Sequence, residues 1–311
     1  MDMTDWRACC FWHNPAPGSV QAAVLCTLAY ADLFDYPMTA AEIHRYLVGM
    51  KVELPTVDGL LNHGRTPDCL VRSGAYFALS GRETIIDIRG ERARAAAELW
   101  PVAVRYGEAM ARLPFVRMIA VTGALAVDNA RRNDDIDYLI VTAPDRLWLC
   151  RAMIIHFVVK PAARRGITLC PNYLLSERAL APFEHNLFTA HEVVQMVPIA
   201  GHDMYLRICR QNRWAATFLP NAFGHPRRVN GTGSPAPARL HKAEPILQSP
   251  VGGWLERWEM KRKVDRFGRQ RHGDTEASFS TDWCKGHFES HGQLVHEALF
   301  HRLEALDWDS K

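Results

Sequence analysis

Two aspartates stand two residues apart at the head of an apolar run, Asp135-Ile-Asp137-Tyr-Leu-Ile-Val141. In extended chain, residues i and i+2 face the same side, so both carboxylates project together. Paired carboxylates repel unless a cation lies between them. A hard divalent ion suits that position, because Mg²⁺ takes carboxylate oxygens together with substrate phosphates. Upstream, Val121-Thr122-Gly123-Ala124 precedes Asp135 by ten intervening residues. A strand, a glycine turn and a helix start there supply backbone N–H groups that can hold an anion. An anion cradle beside paired metal carboxylates is the equipment of phosphoryl or nucleotidyl transfer. Arg131 and Arg132, in the turn before the aspartates, carry forked donors that match triphosphate oxygens, or else are two solvated loop cations.

The elements that must position these groups follow from the surrounding pattern. Residues 115–122 read as a buried strand, 124–130 as a short helix-prone stretch and 135–141 as a second strand. Asp145 is placed to cap a long apolar helix over 146–159. Residues 167–175 read as a further strand that Pro171 confines to a sheet edge or a bulge. Helices fit 187–196 and 204–218, the first opened by a Thr189/Glu192 capping box. Strands and helices alternate, so this part is mixed α/β.

Before it, an apolar helix runs over 20–33 until Phe34-Asp35-Tyr36-Pro37 breaks it. A Thr39/Glu42 capping box opens a second helix to about Val48, and a third spans 56–63. Two β-prone runs then flank a Ser-Gly turn at 73–74. Three helices and a small hairpin form a winged-helix-like arrangement. The third helix carries no Arg or Lys, and base reading normally requires Arg, Asn or Gln, so DNA or RNA is not the favoured partner. A helical linker follows, with Pro101 expected to kink or break it. Four parts result: a winged-helix-like module (1–83), linker helices (84–113), the mixed α/β domain (114–223), and a linker with a helical C-terminal region (224–311).

The pattern of an apolar residue, a glycine, a spacer of about ten residues and Asp-apolar-Asp-apolar resembles the DNA polymerase β-like nucleotidyltransferase superfamily. Gly123, Asp135 and Asp137 match position for position, and the resemblance covers about 115–175. The N-terminal part with Phe34-Asp35-Tyr36-Pro37 is similar to bacterial proteins that join a winged helix to this domain. The resemblance implies a mixed sheet with flanking helices, with Asp135 and Asp137 as metal ligands holding Mg²⁺ or Mn²⁺ against ATP or another nucleoside triphosphate. Thr122, Gly123 and Ala124 would lie along the phosphates, and a nucleoside monophosphate, AMP above all, would pass to a small-molecule or protein acceptor. Two positions depart from the family. Ala124 stands where Gly or Ser is usual, and the later strand that should bring a third carboxylate has Asn172 and no acid, leaving Glu177 or Glu192 to substitute. A catalytically degenerate, nucleotide-sensing regulator is the alternative.

Composition agrees with a folded protein. The 311 residues are 48% hydrophobic and 23% charged, too apolar for disorder and too charged for a membrane bundle. A formal charge of +3 points to no particular partner. Eight cysteines include no C-x-x-C pair, which excludes a zinc ribbon or dithiol motif. No apolar leader is apparent and the longest apolar run, 152–159, falls far short of a membrane span, so a reducing cytoplasm is expected. Residues 257–272 hold seven basic side chains against two acids beside Trp254 and Trp258. That stripe is either an anion-binding surface or a solvated helix face whose tryptophans pack inward. His287 and His291 are spaced for zinc but lack a His-Glu-x-x-His context and read as ordinary helix surface.

Overall fold

The computed structural model describes residues 19–63, 69–181, 184–222, 224–227, 244–270, 279–285 and 291–308. The first helix, α1 (Val20–Asp32), is capped by Ser19 and buried along almost its whole length, as an all-round apolar sequence requires. Then come β1 (Met38–Thr39), α2 (Ala40–Arg45), α3 (Leu54–His63), β2 (Leu70–Ser73) and β3 (Tyr76–Leu79). Thr39 and Glu42 form the expected capping box at α2. The strands make an antiparallel sheet in the order β1-β3-β2. The two-residue β1 has no sequence pattern of its own and exists through its pairing with Tyr76 and Phe77.

Helix α4 (Thr84–Ala111) runs unbroken through Pro101. The expected break is absent because Trp100, Ala103, Tyr106 and Met110 bury one face of the helix against the second sheet. That packing outweighs the ~3 kcal/mol an interior proline costs.

The second half contains β4 (Val116–Val121), α5 (Gly123–Ala126), β5 (Ile136–Thr142), α6 (Leu147–Ile154), a π-helical turn at Ile155–Val159, α7 (Lys160–Ala163), β6 (Leu169–Ser176), α8 (Leu187–Gln195), β7 (Val197–Ala200), α9 (His202–Gln211), α10 (Ala215–Phe218), α11 (Glu244–Leu247), α12 (Pro250–Gln270), β8 (Trp283–Lys285) and α13 (His291–Trp308). Its mixed sheet has the order β7-β4-β5-β6-β8, in which only β5 and β6 are parallel. Residues of β4 and β5 alternate between two cores. Ile119, Val121, Tyr138 and Ile140 pack toward α4 and α6, while Met118, Ala120 and Val141 pack toward α9. The chain is therefore mixed α/β with two sheets.

Several local expectations are corrected. Asp145 does not cap α6; it binds Arg178, and Glu256 of α12 accepts from the Trp148 and Leu149 amides instead. The cap of α8 is Asn186, whose side chain accepts from the Thr189 N–H, so Thr189 lies inside the helix and Glu192 is released from any capping box. Trp254 and Trp258 do not pack inward; both are exposed and stacked on each other, with Arg262 over the Trp258 ring. The face of α12 turned to the protein includes Gly252, Glu256, Glu259, Met260 and Val264. His287, Arg271 and the His291 side chain lie outside the described residues. No described helix is long and apolar enough to cross a membrane.

Candidate functional site

The site forms where β4 ends and β5 and β6 begin. After Val121 the Thr122 N–H donates to the Asp137 carbonyl, extending the ladder by one bond, and the chain then turns sharply through Gly123. Gly123 has φ +66°, and a Cβ there would sit 2.6 Å from Asp137 Oδ2. Glycine is thus required twice, by the left-handed backbone and by the closeness of the carboxylate.

Asp135 lies just before β5 and is exposed, while Asp137 is the second residue of the strand and half-buried. Parallel pairing sets Cys170 of β6 opposite Asp137. The ligand atoms of Asp135, Asp137 and Cys170 all lie within 4.8 Å of one another. This corrects the expectation for the third position: the residue beside the aspartates is Cys170. The register shifts between Asp137 and Leu139, where Pro171 and Asn172 stand in a bulge, and Asn172 lines a small cavity with Thr122, Glu192, Tyr173 and Trp283. Cys170 carries no signal of this role in the sequence, because a cysteine in an apolar strand ordinarily packs as a small hydrophobe.

Electrostatics mark the centre. The Asp137 carboxyl is pushed up to about 7, first by burial and then by the charge of Asp135; the Cys170 thiol donates to it and pulls the other way, and Glu192 and Asp134 add further negative charge. The Cys170 thiol is itself pushed up to about 12 by burial and by both aspartates. A cation beside Asp137 would offset the charge of its acidic neighbours and favour its ionised form.

A cleft of about 460 Å³ opens beside the centre, with Gly123, Ala124, Arg131, Asp134 and Glu192 on one side. Its other wall comes from the N-terminal part: Tyr30, Phe34, Asp35, Tyr36 and Tyr46. His191 on α8 forms part of the floor, stacked 4.0 Å from the Tyr30 ring, with its Nδ1 2.9 Å from the Leu187 carbonyl. Full burial pushes this imidazole down to about 4, so it stays neutral. None of these wall residues was legible as part of the site, since they lie far from the aspartates in sequence and carry no spacing that links the two.

The remaining expected site residues divide. Arg131 reaches the cleft, its guanidinium 4.0 Å from Asp35. Arg132 turns away and pairs with Glu98 at 3.3 Å. Of the two substitute acids, Glu177 is engaged by Arg117 and Arg207, whereas Glu192 faces the cleft and acts on Asp137. Comparison with protein-family models, with curated proteins and with solved structures gave no match for this chain.

Proposed function

We propose that the chain is a metal-dependent nucleotidyltransferase with a fold of the DNA polymerase β-like kind, moving a nucleoside monophosphate from a triphosphate, ATP foremost, to a small-molecule or protein acceptor. The observation that carries this reading is the convergence of Asp135, Asp137 and Cys170 ligand atoms within 4.8 Å, beside a glycine turn that leaves no room for a side chain. The two carboxylates of Asp135 and Asp137 fit a divalent cation, which the resemblance makes Mg²⁺ or Mn²⁺. Such an ion, when bound, neutralises triphosphate oxygens and favours displacement at phosphorus.

The chain's own residues supply the rest. Gly123 and Ala124 bring the first amides of α5, which have no intrahelical acceptors, to the cleft for the phosphate tail. Arg131 can swing from Asp35 to the same oxygens, and its fork suits them. The aromatic wall of Tyr30, Phe34 and Tyr36 excludes water from one flank. An acceptor oxygen attacks the α-phosphorus, the bond to the β-phosphate breaks, and pyrophosphate leaves. Glu192, which lines the cleft, would take the acceptor proton. The winged-helix-like part acts here as a wall of the cleft. Its α3 offers no cation to nucleic acid, since residues 54–63 contain neither Arg nor Lys.

The replacement of a third acid by Cys170 favours a second reading, a sensor that binds nucleotide without turning it over. Incubation with each α-labelled nucleoside triphosphate, Mg²⁺ or Mn²⁺ and a metabolite pool separates the two. Label transfer with pyrophosphate release, abolished in D135A/D137A, is expected. Nucleotide binding without release would support the sensor, and equal transfer by the double variant would remove the enzyme reading.

A further inference from the structure

We infer that Cys170 is the third protein ligand of the Asp135/Asp137 centre, and that the centre takes a thiophilic divalent cation of the Zn²⁺ class in preference to Mg²⁺. The inference rests on the aspartates being a metal centre, though not on nucleotidyl transfer.

The register places the thiol there: Asp137 and Cys170 are direct partners across the parallel β5–β6 pair. Among the described residues, Asp135, Asp137 and Cys170 form a group of metal-binding side chains whose ligand atoms converge. Around a tetrahedral zinc ion with Zn–S and Zn–O bonds of ordinary length, ligand atoms stand roughly 3.6 Å apart. The three ligand atoms fall within 4.8 Å of one another, so only a small closure brings them to that spacing, and Asp135 stands exposed just ahead of the strand. Three protein ligands with an open side match a zinc centre that keeps one position for water or substrate.

Ligand softness decides the choice of metal. A thiolate selects borderline and soft ions, while Mg²⁺ demands near-octahedral oxygen ligation and gains nothing from sulfur. Without metal, the Cys170 S–H donates toward Asp137. On coordination that proton goes to solvent, and the sulfur and carboxylate lone pairs turn to the ion. The other described cysteines are placed differently. Cys26, Cys150 and Cys284 are buried in the cores, Cys69 is half-buried against the N-terminal core, and Cys209 interacts with Tyr205 on α9.

The test titrates metal-free full-length protein with CoCl₂, followed by absorption, and then with ZnCl₂ and MgCl₂ as competitors. The expected result is one Co²⁺ per chain with an intense near-ultraviolet sulfur-to-cobalt band, displaced by Zn²⁺ and not by equimolar Mg²⁺. C170S should lose the band and bind Zn²⁺ at least about tenfold more weakly, the loss that even outer-shell changes at zinc sites produce. C170D, as a second variant, should bind Mn²⁺ or Mg²⁺ better than the parent. Cobalt bound without the band, or a band unchanged in C170S, overturns the thiol ligand and leaves the carboxylate centre standing. No binding of Co²⁺, Zn²⁺ or Mn²⁺ by the parent overturns both.

Discussion

Gly123 and Asp137 are locked together, since the space a methyl group would need already holds the carboxylate. G123A should lose about 1–2 kcal/mol of stability from the left-handed backbone alone. It should lose metal binding as well, because Asp137 must move; calorimetric titration of metal into the folded variant checks this. His191 gives a pH signature. Its folded pKa of about 4 lies below the ordinary 6.5, so the unfolded chain takes up a proton below 6.5 while the folded protein does not until about 4. Stability from this group is complete above pH 6.5 and falls by on the order of 3 kcal/mol as pH drops through that window. Asp137, raised in the fold, acts in the opposite direction, so the informative quantity is the difference between parent and H191Q. Denaturant unfolding at pH 7 and pH 5 should show H191Q losing less stability on acidification than the parent; equal changes would refute the assignment. Spacing alone singles out the glycine and both aspartates in the sequence, and the structure brings them together. Spacing does not single out Cys170, because its neighbour Asp137 is fixed by strand register and a bulge at Pro171 and Asn172 that no local pattern announces.

The long, strongly patterned segments α1, β4 and β5 appear where apolar periodicity places them, and α4 continues through the proline expected to kink or break it. The short strands β1, β7 and β8 carry two to four residues each and too little alternation to be read. They are strands because neighbours already in place offer them hydrogen-bonding edges. Helix starts were less legible than helix bodies. At α6 the local aspartate was the obvious cap, yet Glu256, more than a hundred residues away in sequence, takes both amides. E256A should therefore cost about 1–3 kcal/mol by leaving the buried Trp148 N–H and the part-buried Leu149 N–H unpaired, whereas D145A should cost little because Asp145 forms an exposed pair with Arg178. Thermal unfolding of the two variants side by side measures the contrast.

The N-terminal part and the α/β part share one architecture around the cleft. A single apolar cluster joins α1, α2 and β3 to α8, α10 and α13. Beside it, Arg92 on α4 donates to the Phe34 and Asp35 carbonyls, to the Asp35 carboxylate and to Asn129 Oδ1, and the Asn129 amide donates back to Phe34. This clamp fixes the cleft's aromatic wall against the segment that leads to the aspartates. The sequence marks the Phe34-Asp35-Tyr36-Pro37 segment but not its partner, because Arg92 lies 57 residues from Asp35 and reads as an ordinary helix cation. R92A should destabilise the protein by about 3 kcal/mol and weaken nucleotide binding while leaving the metal centre's cobalt spectrum unchanged. Loss of that spectrum in a folded R92A protein would show that the clamp supports the metal centre and not the cleft wall.

The most direct measurement is calorimetric titration of a non-hydrolysable α,β-methylene ATP analogue into the full chain, with and without Mn²⁺, for the parent and D135N/D137N. The account expects binding that requires both the ion and the two carboxylates. Binding of equal strength without metal, or in the doubly substituted protein, would contradict it.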